Sequence, residues 1–78
     1  MPSIYNKDGL TIEMRPKENG HNEPHVHALS CGKDVSIDLY GRVIVGQISS
    51  KHQGVACKWV ADNSVFLQRL WREMHGDV

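Results

Sequence analysis

Apolar and polar residues alternate through much of the first fifty positions. Leu10, Ile12 and Met14 are interleaved with Thr11, Glu13 and Arg15, and a period of two is the signature of a half-buried strand. The same alternation returns at residues 25–30, where Val26 and Ala28 fall opposite to His25 and His27. It returns again at Val35, Ile37 and Leu39, interleaved with Ser36 and Asp38. Val43, Ile44 and Val45, running on to Gly46 and Ile48, read as the last strand. Turn signals separate these runs: Asp8-Gly9, residues 31–34, and Tyr40-Gly41-Arg42. Ile4 and Tyr5 suit a short strand pairing with Leu10 to Met14.

The period then changes. Val55, Ala56, Trp59 and Val60 recur at three- and four-residue spacing, followed by Phe66, Leu67, Leu70, Trp71 and Met74. That spacing predicts amphipathic helix, with Ser49 or Ser50 as the N-cap and Gly76 as the stop. Asp62-Asn63-Ser64 favours caps over helix interiors and divides the stretch in two. The expected architecture is α+β: an antiparallel meander of about four strands, then two C-terminal helices packed on one sheet face. At 78 residues the chain is a single domain, 1–78, near the lower limit for a self-sufficient core. A chain this small gains stability from a protein partner or from forming a homo-oligomer.

If the helices cover one sheet face, strand parity assigns the other. Thr11, Glu13, Arg15, His25, His27, Ser36 and Asp38 then share an open surface. Residues two apart on a strand project to the same side, about 6.5–7 Å apart. His25 and His27 so placed can bind one metal ion such as zinc, with His21 from the preceding loop as third ligand. Glu13 or Asp38 can supply a carboxylate instead, or orient a ring nitrogen. The same two histidines can act as a base–acid pair cleaving a phosphodiester, with Arg15 on the phosphate and Asp38 in support. Against these stands the plainer reading of hydrogen-bonded structural histidines beside a loop rich in proline and asparagine, residues 16–24.

Charge changes the picture modestly. Lys plus Arg and Asp plus Glu are 9 each, so a nucleic-acid partner has no support from net charge. The polar start carries no hydrophobic signal region and no apolar run is long enough to span a bilayer, so the chain reads as cytoplasmic. In that compartment the two cysteines, Cys31 and Cys57, are expected to be free thiols, with Cys57 on a helix face that looks buried. Trp59 and Trp71 lie on the apolar stripes and are expected in the core, whereas His52 and His75 are expected at the surface of helix ends.

The ordered landmarks are more specific than any single motif. They run Met1-Pro2-x-Ile4, Ile12-x-Met14, His21-x-x-Pro24-His25-x-His27, Ile37-Asp38, Gly41, Gly46, Ile48, Trp59-Val60 and Trp71. This set resembles a small prokaryotic family, the domain of unknown function 4160 family, over nearly the whole chain. Family members typically carry two prolines before the second histidine, and Glu23 stands in the first one's place. The resemblance implies that His21, His25 and His27 are the residues of interest. It also implies a setting in small two-gene modules beside another short protein, a toxin–antitoxin-like arrangement. Three functions stay open: a protein-binding or regulatory module in such a pair, a small histidine-dependent nuclease or phosphoesterase with or without a metal, and a metal-binding protein.

Overall fold

The computed structural model describes residues 3–15 and 24–74. Five strands come first: β1 (Ser3–Lys7), β2 (Leu10–Glu13), β3 (His25–Ser30), β4 (Lys33–Asp38) and β5 (Val43–Gly46). Two helices follow, α1 (Ser50–Asp62) and α2 (Ser64–Met74). The strands form one antiparallel sheet in the order β1-β2-β3-β4-β5. The expected meander and helix pair are therefore present, with Ile4 and Tyr5 belonging to a full fifth strand. The expected loop over residues 16–23, His21, His75 and the stop at Gly76 lie outside the described residues.

Turn chemistry sets the register. Asp8 and Gly9 take φ of 52° and 85°, and Cys31 and Gly32 take 53° and 76°. Two consecutive positive φ values are what a two-residue hairpin needs to match the twist of its strands. The second turn is tighter than the four-residue turn expected at 31–34, because β4 begins at Lys33. Lys33 and Asp34 thereby become strand residues, and Asp34 joins Ser36 and Asp38 on one face.

The β4–β5 connection is held by one carboxylate. Asp38 Oδ1 accepts the backbone N–H groups of Tyr40 and Arg42, each at 2.9 Å. The Asp38 N–H donates to the Arg42 carbonyl at 2.8 Å, closing the loop. Asp38→Ala removes two charge-assisted hydrogen bonds from a partly exposed turn, so a loss of about 1 kcal/mol is expected in chemical denaturation. An unchanged midpoint would show that the turn holds without the side chain.

The core lies between the sheet and the helices. Ile12, Met14, Val26, Ala28, Val35 and Ile37 are wholly buried, as are Ala56 and Val60 of α1 and Leu67 of α2. Parity is as expected, with Leu10, Ile12 and Met14, then Val26 and Ala28, then Val35, Ile37 and Leu39 in one apolar cluster. Trp59 and Trp71 pack against that cluster from the helices, and Trp59 meets Tyr5 of β1 edge-on with ring centroids 5.4 Å apart. α1 contacts β2, β3 and β4. Ser49 caps it, its hydroxyl accepting the His52 N–H at 3.3 Å. Asn63 ends it: its backbone N–H reaches the Trp59 carbonyl at 3.0 Å and its side-chain amide reaches the same oxygen at 2.8 Å. The break expected at Asp62-Asn63-Ser64 is therefore built by Asn63.

His52 differs from its expected place on the surface. It is half-buried, and its Nδ1 shares a hydrogen bond with the buried Ser30 hydroxyl at the end of β3. The ring lies over the β1–β2 turn, where a Cβ added at Gly9 would be in ordinary van der Waals contact with it at 3.8 Å. The pair ties the first turn of α1 to the sheet.

Candidate functional site

The face opposite the helices carries the residues that parity assigned to it. Glu13 of β2 lies beside His27 of β3, which lies beside Ser36 of β4. His25 lies beside Asp38, and Leu29 beside Asp34. The structure brings His25, His27, Glu13, Arg15 and Asp34 together. His21 lies outside the described residues, and among the described residues no three His, Cys, Asp or Glu side chains group to hold a metal ion.

Arg15 organises this face. Its Nε donates to Glu13 Oε1 at 2.9 Å, and its Nη2 lies 3.9 Å from Asp34 Oδ2. It thus spans from β2 to β4 across β3. His27 Nδ1 lies 3.5 Å from Asp34 Oδ1, a long contact by hydrogen-bond standards. Asp34 is nearly half exposed, so solvent screens these attractions and they add little to stability. Their effect is positional: three strands present one fixed pattern of charge.

At the histidines the face is not open. His25 is 4% exposed and His27 is 7% exposed, which corrects the expectation that both imidazoles stand free on the surface. The rings touch edge to face, with centroids 5.0 Å apart and planes at 74°. Trp71 of α2 meets His25 from the other side at 5.7 Å. Parity places the rings away from the Val26 and Ala28 side, yet α2 reaches far enough to cover one of them. Nothing in a half-buried-strand pattern reveals a helix lapping round a sheet end, so the alternation alone reads these positions as solvent-facing.

This contact geometry bears on the chemistry. A base–acid pair acting on a phosphodiester holds the scissile phosphate between its two imidazoles. Rings in edge-to-face contact leave no space between them. Asp38, expected in support of that pair, spends one carboxylate oxygen on the Tyr40 and Arg42 amides. Next to His25, a cleft of about 380 Å³ opens between the β4–β5 turn and α2, walled by Pro24, Leu39, Tyr40 and Trp71 with Arg72 at its side.

Sequence reasoning missed Asp34, which was read as a turn residue. The signal was present, since Asp34, Ser36 and Asp38 continue one alternation. It also missed β5 as a surface. All four residues of β5 are exposed, with Val43 at 41%, Ile44 at 38% and Val45 at 58%. β5 is an edge strand, and the sheet runs one strand past the three that α1 contacts on that side. A bulge falls where β4 passes from Ser36 to Ile37, which makes Ile44 the extra residue of β5.

The two thiols are both free and sit in different surroundings. Cys31 is exposed in its turn. Cys57 of α1 is half-buried, and its pKa is raised, first by desolvation and then by the negative charge of Asp38. The thiolate is the reactive form, so Cys31 is expected to alkylate first with iodoacetamide at mildly alkaline pH, and Cys57 much later. Equal labelling rates by mass spectrometry would contradict this.

No helix among the described residues is long and apolar enough to cross a membrane. No curated protein and no solved structure matches the chain. A family model does match, over residues 9–72, and its description is a domain of unknown function, DUF4160. That span takes in β2 through most of α2, including the histidine pair, the Arg15 patch and β5. The chain belongs to the DUF4160 family of domains of unknown function.

Proposed function

We propose that the chain is a protein-binding module and that β5 is its docking element. One observation carries this reading: β5 is an edge strand of three consecutive large apolar residues, all exposed, with no charge among them. Native sheets protect such edges with charge, proline or a covering element, because unpaired N–H and C=O groups beside apolar side chains invite another strand. The opposite edge has that protection, since β1 carries Asn6 and Lys7. β5 has only its bulge and its shortness. Strand addition supplies affinity through main-chain hydrogen bonds and specificity through alternate side chains.

The charged face beside β5 gives such a contact an orientation. Val45 lies across from Ser36, in the same row as His27 and Glu13. A chain docked on β5 therefore meets the patch ordered by Arg15 on that side of the sheet. A role in a toxin–antitoxin-like pair fits a module of this kind, with the short neighbouring protein as partner. Buried, touching histidines shape and stiffen the surface in this reading and need not take part in a reaction.

The test is Val45→Lys. Val45 is more than half exposed, so the change leaves the fold intact while placing an ammonium on the edge. The wild-type chain is expected to co-elute with its neighbouring gene product, and the variant to elute alone. Co-elution unaffected by the lysine, or no complex at all, would refute docking through β5.

A further inference from the structure

We infer that the cleft between the β4–β5 turn and α2 binds a free α-amino acid with an aromatic side chain, Arg72 taking its carboxylate and Asp38 its ammonium. The inference is independent of the reading of β5 as a docking edge.

The walls suit an apolar ring. The turn contributes Asp38, Leu39 and Tyr40, α2 contributes Trp71 and Arg72, and Pro24 stands at the start of β3. Leu39 is buried, whereas Tyr40 is 66% exposed. Trp71 lines the cleft and also meets the His25 ring, with centroids 5.7 Å apart. The Tyr40 wall is preformed, because its backbone N–H is tied to Asp38 Oδ1 at 2.9 Å. The volume of about 380 Å³ lies near the lower end of the about 300–1,000 Å³ of small-molecule pockets. It has room for one ring and a short polar head.

Charge selects the head. Asp38 and Arg72 line the same cleft with opposite charges. Among the described residues the Arg72 guanidinium makes no hydrogen bond or ion pair, and Asp38 uses only Oδ1, on the Tyr40 and Arg42 amides. An anion alone would bring its charge beside Asp38, and a cation alone would bring its charge beside Arg72. A neutral ring would strip water from both charges and replace it with nothing. A ligand with one charge of each sign and an apolar body gives each group its complement. A free α-amino acid has that composition, and an aromatic side chain adds ring contacts with Tyr40 and Trp71. A peptide does not, since its C-terminal residue lacks the ammonium and its N-terminal residue lacks the carboxylate. Arg72 is exposed, so water screens its attraction and the affinity is modest.

Proton–nitrogen correlation NMR of the full chain tests this, with L-phenylalanine added from about 10 µM to about 10 mM, a range that brackets weak dissociation constants. The Trp71 indole signal is expected to shift and saturate, while that of Trp59, packed against Tyr5, stays in place. L-phenylalaninamide and N-acetyl-L-phenylalanine each lack one charge and are expected to bind about 10-fold more weakly. Arg72→Gln is expected to weaken L-phenylalanine about 10-fold and to leave L-phenylalaninamide unchanged, a coupling that a general disturbance of the cleft would not produce. No shift at Trp71, or a shift at Trp59 alone, overturns the site. N-acetyl-L-phenylalanine binding as tightly as the free amino acid overturns the role of Asp38 and makes the ligand a peptide C-terminus. Undiminished binding of L-phenylalanine to Arg72→Gln, or of L-phenylalaninamide to the wild type, overturns the role of Arg72.

Discussion

Gly46→Ala is expected to lower stability by about 3 kcal/mol or more, enough to unfold a large fraction of a domain this small. Two independent costs combine at this residue. Its φ of +93° lies in the left-handed region, which a residue with a Cβ adopts only under strain. The added Cβ would also sit 2.5 Å from the Asp34 carbonyl oxygen and 3.1 Å from the Val35 Cα. Both contacts are backbone, so no side chain can move aside, and β5 would have to separate from β4. Two other glycines calibrate the result. Gly32 has φ of +76° with nothing near its would-be Cβ, so Gly32→Ala carries the conformational cost alone, about 1 kcal/mol. Gly54 sits inside α1 with open space around it, so Gly54→Ala should stabilise by up to about 1 kcal/mol. Urea denaturation of the three variants checks the order. Equal costs for Gly46 and Gly32 would mean that the close approach of β5 to β4 at Asp34 is not there.

Ile37→Ala is expected to cost about 3–4 kcal/mol by loss of apolar burial and creation of a cavity. Ile37 is wholly buried at the middle of the sheet, between Val26 on β3 and Val43 on β5. It belongs to the one cluster that joins β2, β3 and β4 to both helices. A 78-residue domain holds total stability of about 4–12 kcal/mol, so this single truncation removes a large share. A cost below about 1 kcal/mol would show that the sheet and α1 are not packed across this residue.

The fold was largely legible in the sequence because its two periods are clean. Leu10, Ile12 and Met14 and their counterparts on β3 and β4 alternate without interruption, and all face the helices. Asn63 announced the break between α1 and α2 through its preference for caps. Turn lengths were less legible. Cys31 takes a positive φ that its residue type does not advertise, so the β3–β4 hairpin is two residues long and Asp34 moves onto the sheet.

The candidate site was legible in membership and less so in environment. Alternation correctly put His25, His27, Glu13 and Arg15 on one face, because parity is local. Burial is not local. Trp71 is 46 positions beyond His25 in the chain, and the contact between them depends on where α2 crosses the sheet. The exposure of β5 is likewise a tertiary fact. Val43, Ile44 and Val45 read in the sequence only as the last strand, with no face assigned, and they lie exposed because the sheet runs past the strands that α1 contacts. Consecutive apolar residues that tertiary structure leaves outside are where an interaction surface is to be sought.

Amide hydrogen exchange across residues 43–46 tests the claim that this strand is where other chains attach. Slow exchange should appear there when the docking partner is present at high concentration and vanish on dilution or with the lysine at position 45, while β3 stays protected throughout. Rapid exchange at 43–46 under every condition, with a complex still formed, would place the binding surface elsewhere on the molecule.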